Sequence, residues 1–142
     1  MRVTHPLIAP IVVSAFLASV SQSTTLACRT GVKQKTYDSA RLHVPRAQAE
    51  TFHKRLEAWA KQRGMVVSGG GGSQARPGDP WELYTIMQSK RFGVALTVTT
   101  PARGDNATAT VENNCWAPHE DWRPPWRALR SKLAEWGYLR PA

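Results

Sequence analysis

The sequence predicts an α+β fold: a small, largely antiparallel sheet in the order β-α-β-β-β-β-α, with two amphipathic helices packed on one of its faces. Three observations predict it. Residues 45–63 and 122–136 carry apolar side chains at three- and four-residue spacing. Between them run three segments rich in β-branched or aromatic residues, separated by short stretches of turn-forming residues. One further strand-like segment precedes the first helix, so strands and helices are segregated in the manner of a sheet with helices on one side.

Ser39 to Val44 reads as the first strand. Pro45, with its fixed φ, opens a helix in which Ala49, Phe52, Leu56, Trp59 and Ala60 form one apolar stripe, while Lys54, Arg55, Lys61 and Gln62 point elsewhere. Gly64 is placed to close that helix in a left-handed conformation, and Met65 to Val67 follows as a short strand. Ser68 to Ser73, with four consecutive glycines, and Pro77 to Pro80 read together as a flexible loop over 68–80. Gly69 to Gly72 lack the Lys-Ser/Thr ending and the following helix that a phosphate loop requires.

Trp81 to Gln88, Val94 to Thr100 and Ala107 to Asn113 are the next three strands, and connections as short as Ser89 to Gly93 and Pro101 to Asn106 join neighbours into an antiparallel meander. The last helix spans Trp122 to Trp136. Glu120 and Asp121 place negative charge at its N-terminus, with Asp121 as the N-cap, and Pro124 and Pro125 are tolerated because they lie in the first turn. Trp122, Trp126, Leu129, Leu133 and Trp136 share one stripe, most simply a core-packing one, and Gly137 ends the helix. Arg123, Arg127, Arg130 and Lys132 fall at its flanks or opposite, whereas Trp81 and Trp116 lie outside the helices as candidates for exposed aromatic contacts.

Residues 1–27 have the pattern of a cleaved export signal. Arg2 stands near the start with no acidic residue, Leu7 to Val20 is apolar, and Thr25-Leu26-Ala27 precedes Cys28. The apolar run is short and interrupted by Pro10, which argues against a membrane span. The remaining 28–142 is read as one small domain. Two cysteines in an exported chain predict a disulfide between Cys28 and Cys115. Leu26-Ala27-Cys28 is also similar to the end of a bacterial lipobox, although Thr25 stands where that pattern has Leu. The alternative is therefore lipidation of Cys28, which leaves Cys115 free and makes the protein a surface-anchored outer-membrane lipoprotein with peripheral membrane contact.

Charge is the strongest functional clue. The chain has 19 Lys and Arg against 10 Asp and Glu, a net charge of +9, of which only Arg2 belongs to residues 1–27. A basic surface of this kind attracts acidic proteins, anionic polymers and lipid headgroups over long range. Length excludes a multidomain enzyme, and 42% apolar residues with six Trp exclude disorder. His43, His53 and His119 match no metal spacing, Cys115 and His119 make no recognisable nucleophile–base pair, and no hydrolase signature occurs, so no metal, cofactor or catalytic residue is expected.

The reading is an exported, periplasmic or extracellular, non-catalytic interaction protein. The expected partner is an acidic envelope or secreted protein, held as an inhibitor or immunity protein holds its target, through Arg123, Arg127, Arg130 and Trp116. Nucleic acid is not expected as a partner, because export removes the chain from it. The alternative from another class is a small envelope hydrolase using the polar cluster His119, Glu120 and Asp121 for acid–base chemistry.

Overall fold

Alternation of buried and solvent-facing side chains along β4 (Val94–Thr100) and β5 (Asn106–Asn113) marks the centre of a five-stranded sheet with one covered face. The computed structural model describes residue 28, residues 33–74 and residues 76–141. The segment read as an export signal, 1–27, lies outside the described residues. The other strands are β1 (Thr36–His43), β2 (Val66–Ser73) and β3 (Glu82–Gln88). A single 3-10 turn, Arg46–Gln48, leads into α1 (Ala49–Gln62), and α2 (Arg123–Glu135) follows β5.

The strands lie in the order β1-β5-β4-β3-β2, every neighbouring pair antiparallel. The chain thus starts at one edge and crosses with α1 to the other. It then returns through a four-strand meander that seats β5 against β1. The fold is α+β with a small antiparallel sheet.

Residues 68–73, expected in a flexible loop, are instead the greater part of β2. Ser68 pairs with Ile86, Gly69 with Thr85 and Ser73 with Glu82, across an irregularity between Gly69 and Gly72. Glycine is a poor strand former, but here pairing to β3 overrides propensity. At Gly69 the absence of a side chain is required: φ is +88°, and a Cβ would lie 2.5 Å from the Tyr84 ring, which packs over the backbone. The connection between β2 and β3 shrinks to the residues between Ser73 and Glu82, where Gln74 Nε2 donates to Asp79 O (2.8 Å).

One core joins both helices to one sheet face. Phe52, Leu56, Trp59 and Ala60 of α1 and Trp126, Leu129 and Leu133 of α2 bury against Leu42, Met87, Leu96, Val98, Ala109 and Val111. Trp122 and Trp136, at the ends of the Trp stripe, are only partly buried. Trp122 stacks on Tyr37 with ring centroids 5.0 Å apart, and Trp136 carries the Arg55 guanidinium 4.3 Å from its centroid, linking the helices. The opposite sheet face bears the cross-strand pairs Thr97–Thr110 and Thr99–Thr108 and has no helix on it among the described residues.

Both helices end as their glycines predict. Met65 N donates to Ala60 O and Gly64 N to Lys61 O; Tyr138 N donates to Leu133 O and Gly137 N to Ala134 O, two Schellman closures. The start of α2 differs slightly from expectation. The N-cap position is Trp122, without a side-chain cap, while Asp121 Oδ1 accepts from Arg123 N at 3.1 Å from one residue further out.

Cys28 and Cys115 form a disulfide with Cα atoms 4.8 Å apart. The Cys28 sulfur, the atom a lipid anchor would occupy, is bonded to Cys115 in this structure. A disulfide is compatible with an exported protein. Among the described residues no helix is long and apolar enough to cross a membrane.

Candidate functional site

The Schellman turn at Gly137 sends the chain back along the free edge of β1. His43 N donates to Tyr138 O (2.8 Å) and Arg140 N to Arg41 O (3.1 Å), with Leu42 and Leu139 bridged. Further along the same edge, Ser39 N is held by Asp38 Oδ1 at 2.8 Å. These bonds blunt the edge against strand addition, so the surface beside it is read by side chains.

That surface is a basic groove. On α2, Arg123, Arg127 and Arg130 recur at helical spacing on exposed turns, and across the groove stand Arg41 of β1 and Arg140 of the C-terminal segment. Arg130 lines two adjoining clefts. One, of about 320 Å³, is shared with Arg41, Leu139 and Arg140; the other, of about 250 Å³, with Asp38, Trp122, Trp126 and Arg127.

Only one carboxylate lines these clefts among the described residues, and it is already engaged. Asp38 Oδ2 accepts from the buried indole of Trp126 (2.8 Å) while its other oxygen holds Ser39. Arg123 pairs with Asp121 at 3.4 Å, and Arg140 Nη2 donates to His43 Nδ1 at 3.1 Å. Arg41, Arg127, Arg130 and Arg140 form no ion pair among the described residues.

The structure therefore brings Arg123, Arg127 and Arg130 together and adds Arg41 and Arg140, which sequence spacing could not connect to them. It does not add Trp116. That side chain, 57% exposed, lines a different cleft with Arg91 and Phe92 at the end of the sheet.

His119, Glu120 and Asp121 do not converge. His119 is exposed, Asp121 faces Arg123, and Glu120 staples the β3–β4 turn: its Oε2 accepts from Ser89 Oγ (2.5 Å) and Gly93 N (2.7 Å). The loop lies so close that a Cβ on Gly93 would sit 2.5 Å from the Pro118 carbonyl oxygen. Glu120→Ala leaves two partly buried donors without their charged acceptor and is expected to cost about 1–3 kcal/mol in urea denaturation, with Glu120→Gln recovering part of it. A stability within error of the parent would deny the staple.

The same turn holds Phe92 at φ 61°. For a bulky residue this left-handed conformation costs about 1–3 kcal/mol and persists only where surrounding bonds impose it. Those bonds are Phe92 N to Ser89 O (2.8 Å), Ser89 N to Val94 O (3.0 Å) and the Glu120 contacts.

The histidines are scattered. His43 is at the β1 edge and His119 on a loop, while His53 is buried between Thr85 Oγ1 (2.7 Å from Nδ1) and Thr100 Oγ1 (2.9 Å from Nε2). Burial among uncharged partners lowers its pKa from 6.5 to about 4. Among the described residues no three His, Cys, Asp or Glu side chains are grouped to hold a metal ion.

Comparison with known proteins gives no match: no family model, curated protein or solved structure is significantly similar to the chain.

Proposed function

We propose that the chain is an exported, non-catalytic binding protein whose groove between α2 and the β1 edge takes an acidic segment of an envelope or secreted protein, in the manner of an inhibitor or immunity protein. The observation that carries this reading is the convergence of arginines from three distant parts of the sequence on one groove, with Asp38 already committed to Trp126 and Ser39. A guanidinium presents a planar fork of donors that matches a carboxylate, so several in a row suit a run of Asp or Glu side chains. The surplus positive charge of the whole chain steers such a partner toward the groove.

The test is co-purification of the mature, disulfide-bonded protein with its partner from the envelope of its own host, at low and then moderate salt. An acidic protein in stoichiometric amount is expected. The Arg123→Glu/Arg127→Glu/Arg130→Glu protein is expected to bind that partner at least roughly tenfold more weakly and with a shallower salt dependence. Its melting temperature should stay near the parent's, because the three side chains are exposed. Unchanged affinity would remove the groove from the binding surface.

A further inference from the structure

The cleft that holds Trp116 belongs neither to the core nor to the basic groove. It lies between the β3–β4 turn and the turn after β5, has a volume of about 570 Å³, and is lined by Gln88, Arg91, Phe92, Asn114 and Trp116. Phe92 is 44% exposed, so this cleft and its flank hold two of the most water-exposed aromatic side chains of the described residues. Their exposure is not slack in the fold. Phe92 is held in a strained conformation, Trp116 follows the disulfide-bonded Cys115, and Asn114 N donates to Gly93 O (2.9 Å), which locks the two turns to each other. Strain maintained to present an aromatic side chain to water points to use rather than to packing.

We propose that this cleft is a second binding site, for an acidic sugar residue of a polysaccharide. Three features select that chemistry. The site is concave and of a volume suited to one or two rings, whereas a docking site for a folded partner is broader and flatter. Its polar members Gln88 and Asn114 are amides, each offering a donor and an acceptor, as do the hydroxyls of a sugar. The aromatic faces of Trp116 and Phe92 suit the apolar C–H face of a pyranose ring. Arg91 supplies a fork for a carboxylate on that ring, and the net positive charge of the chain favours an anionic polymer over a neutral one.

The experiment is calorimetric titration of the mature, disulfide-bonded protein with tetragalacturonate. Maltotetraose serves as the uncharged sugar and tetraglutamate as a peptide of comparable charge, both titrated into the protein with Arg123, Arg127 and Arg130 reversed to Glu, so that the groove for acidic segments does not enter the comparison. Saturable binding of tetragalacturonate is expected, and in the arginine-reversed protein it should be at least roughly tenfold tighter than that of either comparison ligand. Trp116→Ala and Arg91→Gln should each weaken it by roughly tenfold. Phe92→Gly should weaken it similarly while melting no lower than the parent, since glycine accepts the left-handed conformation without strain; a purely structural Phe92 would lower the melting temperature instead. At moderate salt, which screens long-range attraction, the protein with all three α2 arginines reversed should bind tetragalacturonate within about twofold of the parent, which keeps this site distinct from the groove. No saturable binding, equal binding of tetraglutamate by the arginine-reversed protein, or full affinity in Trp116→Ala would overturn the proposal.

Discussion

Replacing Cys28 and Cys115 together by alanine is expected to lower the unfolding free energy by about 4–5 kcal/mol. The bond joins residues 87 apart in sequence, and the loop it closes contains all five strands and α1, with α2 and the C-terminal segment following it. On the chain-entropy account the unfolded ensemble loses conformations that so long a loop would otherwise explore, and the folded state is stabilised by the difference. Against the 5–15 kcal/mol typical of a domain, this is a large share. Alanine is the informative substitution, because Cys115 is buried and a serine hydroxyl there would add a desolvation cost of its own. Denaturant titration of the double variant and of the oxidised parent measures the effect. A loss below about 1 kcal/mol would show that the cross-link does not restrain the unfolded chain.

Acidification from pH 6.5 to pH 4 is expected to remove roughly 3 kcal/mol of stability through His53 alone. The folded protein keeps this ring neutral down to about pH 4, whereas the unfolded chain protonates it near pH 6.5. Between those values the unfolded state binds the extra proton, so stability falls as pH falls. Above the window both states are neutral, and below it both are protonated, so the His53 contribution is constant. Burial is the cause: the ring is 7% exposed and faces two hydroxyls rather than a carboxylate. Glu50, Lys54, Glu57, Leu83 and Thr85 line the shallow cleft over it. The check is the pH dependence of the unfolding free energy in the parent and in His53→Gln, whose amide cannot titrate. The difference between the curves should slope across pH 4–6.5 and flatten outside it; parallel curves would show that His53 titrates alike in both states.

Much of the fold is legible along the chain because its causes are local. The apolar stripes of α1 and α2, the glycines that end both helices and the alternation in β4 and β5 all act within a few residues, and the structure follows them closely. Trp81 and Trp116 were separable from the core tryptophans for the same reason, since neither falls on a helical stripe. Half of the basic groove was visible too, as Arg123, Arg127 and Arg130 recur at the spacing of one helix.

What sequence reading missed depends on partners far along the chain. The glycine run enters β2 because β3 offers it a ladder and Tyr84 covers Gly69, neither of which propensity registers. Glu120 resembles a helix-entry charge, yet its carboxylate reaches back 27 residues to Gly93. In Phe92-Gly93 the glycine is the natural candidate for the left-handed turn position, but the hydrogen bonds around Ser89 assign that conformation to Phe92. Arg41 and Arg140 join the α2 arginines only because the C-terminal segment folds back onto β1.

Periodicity, turn chemistry and composition thus determined which segments become helices and strands, where both helices stop, and that the chain carries a net positive charge. Tertiary structure decided the strand order, the neighbours of the groove arginines, and which aromatics stand in water around a cleft. The physical reason is range: helix and strand preferences are settled by contacts within one or two turns, whereas a site is made by side chains whose proximity exists only after the sheet has closed.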